Sequence, residues 1–180
     1  MRYLLLALIV ISSPLTGQRA VTEVVKPTSP EEDAKPVSAA VPEVYSIAAS
    51  FERVLVLRFK YQADLLAGLQ GIVEKHGIRN AVILAGIGSV RNYHVHSVSN
   101  REFPSKNVFV KDPTYPADVL SVNGYVINGK VHAHLTMADR DKAFGGHLEM
   151  GTNTFTFAVI TLGVLGDDVP LDRADDKTYR

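Results

Sequence analysis

The chain has 180 residues, 46% of them hydrophobic, which is typical of one globular domain and excludes a wholly disordered protein. Its 19 basic and 19 acidic side chains give a formal net charge of zero, so no overall charge attracts it to nucleic acid or an anionic membrane. The absence of cysteine excludes disulfides, thiolate metal ligands and a cysteine nucleophile.

The N-terminus follows the order of regions found in a secretory signal. Arg2 supplies a positive charge, residues 4–11 form an unbroken apolar run, and a Ser-Ser-Pro sequence at residues 12–14 ends it. The run is far shorter than the ~20 residues that a membrane-spanning helix needs. We therefore predict a signal peptide over residues 1–20, no membrane span, and an exported protein in the periplasm or outside the cell. A buried N-terminal strand or helix is the alternative.

Two stretches lack the periodicity of regular structure. In residues 21–47, prolines are spaced among Ser, Thr, Glu, Lys and Val, which predicts a flexible linker. Residues 166–180 are rich in aspartate and predict a flexible, solvated tail. The ordered domain is therefore expected over residues 48–165.

The first half of this domain is predicted to contain two short strands and one main helix. Arg53–Phe59 is a run of β-branched and aliphatic residues and predicts a strand. Ala63–His76 carries apolar residues at helical spacing, and Gly77 follows as a stop signal. Asn80–Ala85 predicts a second strand, which the glycines of Gly86–Ser89 are expected to close with a turn.

The second half is predicted to be mostly strands. Further strands are predicted at Val90–Ser99, Val108–Val110 and Asn153–Leu165. Val119–Ile127 and Lys130–Ala138 flank Asn128-Gly129, a strong signal for a type I′ hairpin turn. The fold class is therefore α+β, a mainly antiparallel sheet with one main helix, whose second layer comes from the helix, other strands or a partner subunit.

Three histidines have the spacing of a metal site. His132 and His134 alternate with apolar residues and share one face of a strand. His147 follows two glycines, which permit a tight backbone approach that aims a third imidazole at a neighbouring strand. Three neutral imidazoles with an open fourth position suit Zn²⁺ or another divalent transition metal. Histidines that are hydrogen-bonded within the sheet and bind no metal are the alternative.

Other polar residues are candidates for supporting roles. Glu149 points the same way as His147 if the stretch is extended, and would be a fourth ligand, a general base on bound water or a solvated surface residue. His94 and His96 share another strand face and either line the same cleft, form a separate site or belong to a polar sheet face. His76 closes the helix, where a cation interacts favourably with the helix dipole.

Several segments, taken together and in order, resemble one known family. They are Arg53–Arg58, Asp64–Ile78, Gly86–Val90, Leu120–Gly124, Val131–Leu135, Ala138–Asp141 and Gly145–Leu148. The pattern is similar to the PPC domain, named for its conservation in plants and prokaryotes, and extends from about Val54 to Leu162. The resemblance implies an α+β domain that forms a homotrimer. It also implies, in some prokaryotic members, a metal at the histidines matching His132, His134 and His147, whereas His94 and His96 lie outside the family pattern.

The plant members of that family place the domain beside AT-hooks in nuclear DNA-binding proteins, and this chain departs from them. It has no Arg-Gly-Arg-Pro core, and residues 50–165 hold 12 Lys or Arg against 9 Asp or Glu, a net charge of +3. So small a charge neutralises few phosphates, and nucleic acid is therefore not an expected partner.

These observations predict an exported PPC-like domain that binds a divalent metal, with zinc the first candidate. It would bind or hydrolyse an unidentified small molecule at the open metal position. A DNA-binding protein of the plant type and a non-catalytic structural or ligand-sensing trimer are the alternatives.

Overall fold

The computed structural model describes residues 17–25, 39, 42–102 and 104–175. Most of the predicted signal peptide, much of the predicted linker and the last five residues lie outside the described residues. Within the described part, no helix is long and apolar enough to cross a membrane.

The described residues form eight strands, one α-helix and a short 3₁₀ helix. The strands are β1 Ala20–Val25, β2 Phe51–Phe59, β3 Ala81–Val98, β4 Lys106–Asp112, β5 Ala117–Ile127, β6 Lys130–Ala138, β7 Ala143–Leu148 and β8 Asn153–Leu165. The helices are α1 Leu65–Lys75 and the 3₁₀ helix Leu171–Asp175. All strand pairs are antiparallel, which confirms the predicted α+β class with a mainly antiparallel sheet.

The sheet has a path from β1 through β4, β3, β5 and β6 to β7, and β7 pairs back to β3. Strands β3, β5, β6 and β7 therefore form a closed ring. Strand β8 pairs with β3 on its other side and carries β2 at the edge. Alternate side chains of the ring point inward and form the main core, which includes Val122, Leu135, Met137 and Leu148.

Helix α1 covers the open end of this core. The side chain of Asp64 caps its first turn by accepting a hydrogen bond from the Ala67 amide at 2.9 Å. Leu65, Leu69 and Val73 are buried, as a helical stripe facing the sheet requires. The predicted helix is confirmed, although its regular part is shorter at both ends than the predicted range.

The turn expected at Gly86–Ser89 is wrong, because β3 continues through it as one long strand. A Cβ at Gly86 would lie 2.5 Å from Val122 Cβ, and one at Gly88 would lie 2.5 Å from the Phe157 carbonyl oxygen. These glycines therefore let β5 and β8 approach β3 closely, and the pairing register shifts nearby. Close packing, rather than a reversal of the chain, accounts for both glycines.

The predicted hairpin between β5 and β6 is confirmed. Asn128 and Gly129 have φ values of 50° and 75°, as a type I′ turn requires. Strand β7, in contrast, is not among the predicted strands, because its two glycines weaken any strand pattern in the sequence.

Parts of the predicted linker and tail are ordered. Strand β1 spans the last residue of the predicted signal peptide and the start of the predicted linker, and it pairs with β4 at the edge of the sheet, although all its side chains are exposed. In the predicted tail, Leu171 is buried and the Asn80 side-chain amide donates a hydrogen bond to the Val169 carbonyl at 3.0 Å. Edge pairing and a single buried leucine are non-local contacts that composition does not reveal.

The close approach at β3 gives a testable consequence. Gly88→Ala should lower the free energy of unfolding by about 3 kcal/mol, because the new Cβ meets the β8 backbone and the φ of 155° disfavours other residues. Gly71→Ala is the control, since Gly71 lies in α1 with open space around it and alanine should add about 1 kcal/mol. Urea unfolding measures both, and equal effects would contradict the close-packing explanation.

Candidate metal centre

Strand β6 presents two imidazoles on its outer face. His132 and His134 are exposed, whereas Ala133 and Leu135 between and beyond them are buried, so the predicted alternation is observed. The two Nε2 atoms lie 3.3 Å apart. Because two nitrogens held at 2.0–2.1 Å around a tetrahedral zinc ion are separated by roughly 3.4 Å, this pair has the spacing of two ligands of one ion.

Two glycines in β7 bring the third imidazole to this pair. A Cβ on Gly145 would lie 2.1 Å from the Leu135 carbonyl oxygen, and one on Gly146 would lie 2.4 Å from that of His96. Strand β7 therefore fits between β6 and β3 only without side chains at these positions. Its next residue, His147, is paired in register with His134 on one side and with His96 on the other.

The three predicted ligands converge. The ring centroid of His147 lies 4.7 Å from that of His132 and 5.1 Å from that of His134. One ligand atom from each residue lies within 4.8 Å of the other two. Three imidazoles with no carboxylate between them fit the donor set of zinc and similar transition metals, and leave room for a further ligand.

The surroundings keep two of these imidazoles in the neutral form, which is the form that ligates. Burial, with further contributions from His96 and His132, lowers the pKa of His147 to about 4. Partial loss of water around its ring, although the side chain is exposed overall, lowers the pKa of His134, and the neighbouring His132 and His96 add to this effect. At neutral pH neither ring therefore has to lose a proton before it binds a metal ion.

A second group of polar side chains, His96 and Glu149, lies on the Nδ1 side of the His147 ring. Glu149 Oε1 lies 2.7 Å from Nδ1 of His96 and 3.6 Å from Nδ1 of His147. The rings of His96 and His147 stack with centroids 4.4 Å apart. His94, in contrast, turns its Nδ1 to the Met150 carbonyl at 2.9 Å and does not join either histidine group that could hold a metal.

A shallow cleft of about 410 Å³ opens beside the histidines. Asn123 and Tyr125 on β5 line it together with His132 and His134, to which they are directly opposed in the sheet register. No lysine, arginine, aspartate or glutamate lines this cleft among the described residues. A small molecule bound here would therefore meet an amide, a phenol and imidazoles rather than fixed charges.

A family model described as the Plants and Prokaryotes Conserved (PCC) domain matches residues 46–166, which is more than half of the chain. The chain belongs to this family. The match confirms the resemblance to the PPC domain stated above, which is the same family under another abbreviation. Among curated proteins, no relative matches the chain.

Solved structures share the fold of this PCC domain. A metal-containing protein from Archaeoglobus fulgidus is 20% identical, with a TM-score of 0.59 over 70% of this chain and 89% of its own. A plant- and prokaryote-conserved protein from Pyrococcus horikoshii is 24% identical, with a TM-score of 0.56 over 70% of this chain and 87% of its own. A proposed DNA-binding protein from Ralstonia eutropha is 17% identical, with a TM-score of 0.50 over 62% and 77%.

The structure of this PCC domain shows which of the candidate site residues from the sequence lie together. It brings His132, His134 and His147 together and places Glu149 beside His147, as their spacing suggests. His94 and His96 share one face of β3, as the alternation predicts, but it is His96 that contacts His147 and Glu149, whereas His94 contacts the Met150 carbonyl. His96 reaches His147 through the pairing of β3 with β7, and the sequence signal for that pairing is only the glycine pair that admits β7 between its neighbours.

The low pKa of His147 predicts how the stability of the metal-free protein depends on pH. Between about pH 4 and the ordinary value of 6.5, the unfolded chain binds a proton at His147 that the folded chain does not. The free energy of unfolding should therefore fall as pH decreases from 6.5 to about 4.

Melting curves in the presence of a chelator measure this slope. His147→Gln, which cannot titrate, should have a flatter pH dependence over the same range. Gly71→Ala serves as control because it changes stability without removing a histidine. A slope unchanged in His147→Gln would show that His147 does not contribute to the acid sensitivity.

Proposed function

We propose that this PCC domain is an exported metal-binding domain that holds Zn²⁺ or a similar divalent ion through His132, His134 and His147. The observation that supports it best is the 3.3 Å separation of the Nε2 atoms of His132 and His134, with His147 beside both. The described metal content of the Archaeoglobus fulgidus protein, which shares the fold, adds support.

The ligand set favours binding of a small molecule at the remaining coordination position. A divalent ion bound to three neutral imidazoles would act as a Lewis acid toward a coordinated water or carbonyl group. The protein would contribute the amide of Asn123 and the hydroxyl of Tyr125 as hydrogen-bonding groups in the adjoining cleft. Hydrolysis would also need a base, but Glu149, the candidate from the sequence, lies on the Nδ1 side of the His147 ring rather than beside the three imidazoles. Turnover by metal-loaded protein on a substrate panel would separate an enzyme from a structural or ligand-sensing protein.

The central prediction concerns metal content. His132→Ala and His147→Ala should each lower bound metal from one ion per chain to nearly none, because either change leaves two imidazole ligands. His76→Ala should leave the metal content unchanged, since His76 lies at the end of α1 and outside both histidine groups. Elemental analysis of protein purified without chelators gives the numbers.

The same variants test the alternative in which the histidines only support the sheet. In that case the wild type would stay metal-free after incubation with Zn²⁺, Mn²⁺ or Ni²⁺. Each substitution would lower the melting temperature by an amount that added metal does not alter. Either result would reject the metal site.

DNA binding is the competing function, and the description of the Ralstonia eutropha protein is what favours it. The domain's net charge of +3 argues against it, because few phosphates can be neutralised. We therefore propose that duplex DNA is not the main partner. A sequence-selective gel shift that survives moderate salt would reverse this assignment.

We also propose a homotrimer, which the exposed apolar side chains of the sheet support. Strands β2, β3, β5 and β8 present large hydrophobic residues on their outer face, at 43–69% exposure. This apolar face comprises Val54, Val56, Leu84, Ile87, Leu120, Phe155 and Phe157. A soluble monomer rarely leaves so many neighbouring apolar side chains in water, and closed symmetric association would bury them.

The trimer gives its own prediction. Ile87→Glu should convert a trimeric mass to a monomeric one, because a carboxylate in the middle of a buried apolar interface is costly. Val24→Glu is the matched control, since Val24 is also exposed but lies on β1 at the far edge of the sheet. Light scattering at low micromolar concentration measures both. A monomeric wild type would contradict the proposal.

Export is proposed from the N-terminal sequence alone. The mature chain should begin between Gly17 and Thr22, where small residues follow the apolar run. N-terminal sequencing of the exported fraction tests this, and an intact Met1 on cytoplasmic protein would contradict it.

A further inference from the structure

The two ring nitrogens of His147 have different surroundings. Nδ1 lies 3.1 Å from the carbonyl oxygen of Leu148. A carbonyl oxygen only accepts hydrogen bonds, so this contact favours the tautomer with the proton on Nδ1. That tautomer keeps the lone pair on Nε2, which is therefore the nitrogen available to an ion shared with His132 and His134.

Glu149 lies on the Nδ1 side of the His147 ring. Its Oε1 atom is 3.6 Å from His147 Nδ1, and it makes a much closer contact of 2.7 Å with Nδ1 of His96. The carboxylate therefore faces the nitrogen that does not ligate. It is placed to support the ligand from behind rather than to join the three imidazoles around the ion.

His96 fixes both the carboxylate and the ring. It lies between Phe109 and His147, with ring centroids 4.6 Å and 4.4 Å away. The backbones of His96 and His147 are directly paired between β3 and β7, which places the two side chains next to each other on one face of the sheet. The stack and the hydrogen bond to Glu149 together restrict rotation of the His147 side chain.

His96, His147 and Glu149 also converge closely enough to be considered as a second ion site. Nδ1 of His147 would then have to ligate, which would require it to lose its proton and its contact with Leu148. One imidazole would bridge two cations. A single ion bound to Nε2 of His147 leaves the Nδ1 proton and its contact with Leu148 in place. The geometry therefore favours one ion over two.

We propose that Glu149 and His96 are positioning residues, which hold His147 in the orientation that binds the metal, and that Glu149 is not a fourth ligand. The inference rests on the proposed metal-binding function. Groups hydrogen-bonded to the far nitrogen of a ligating histidine typically contribute 10–100-fold to metal affinity. In His147 the Leu148 carbonyl makes that contact, while Glu149 acts from 3.6 Å through its charge and His96 acts through ring stacking, so their effect is expected at the lower end of this range.

The test compares Glu149→Gln and His96→Phe with the wild-type full chain. Glutamine keeps the size of the side chain but removes its charge, and phenylalanine keeps the ring between Phe109 and His147 but removes Nδ1. Both variants should bind Co²⁺ and Zn²⁺ about 10-fold more weakly, the lower end of the range for such outer partners. Both should keep the wild-type Co²⁺ absorption spectrum and a cooperative melting transition without metal.

His94→Phe is the matched control, because His94 lies on the same strand face but its Nδ1 contacts the Met150 carbonyl, whereas the Glu149 carboxylate contacts His96. Its metal affinity should equal that of the wild type. A loss of affinity in this control as large as in His96→Phe would mean that any change on this strand face weakens binding, and would contradict a specific role for His96.

The outcomes separate the inference from the function on which it rests. A wild type that binds neither Co²⁺ nor Zn²⁺ overturns the metal site itself. A wild type that binds metal, with Glu149→Gln and His96→Phe binding equally tightly, overturns only the positioning role. An altered Co²⁺ spectrum in Glu149→Gln, or a loss of binding as complete as in His147→Ala, would instead make Glu149 a ligand.

Discussion

Strand β3 hydrogen-bonds to four other strands along its length, and the arrangement of the whole sheet depends on it. Its first half lies between β5 and β8, and its second half lies between β4 and β7. A strand can change neighbours in this way only if it bends and if the neighbouring backbones can come close. The glycines at 86 and 88 permit that approach, so small residues in β3 determine which strands meet further along.

The proposed metal centre depends on this strand arrangement. His132 and His134 need only the alternation of β6, which the hairpin turn holds in register. His147 and His96 come together only because β7 lies between β6 and β3. That position requires glycine at 145 and 146, because a Cβ at either would clash with a carbonyl oxygen of a neighbouring strand. The histidines of the proposed site are therefore placed by glycines, which have no side chain.

Local signals in the sequence predicted the local parts of this structure. The helix, the Asn128-Gly129 turn and the common face of His132 and His134 all follow from spacing over a few residues. The partner of His96 could not be predicted this way, because it depends on the register between two strands about fifty residues apart. The turn expected at Gly86 was wrong because glycine has the same local signature whether the chain reverses or another strand packs against it.

The pairing that closes the ring between β7 and β3 consists of only two residue pairs, Val95 with Leu148 and His96 with His147. A seam this short is the place where a closed sheet separates at the lowest free-energy cost. The contact between Glu149 and His96 crosses the same seam, and His147 lies within it. An ion that immobilises His147 would therefore hold β7 against β3. Occupancy of the proposed site would then govern how often the closed ring of strands opens to solvent.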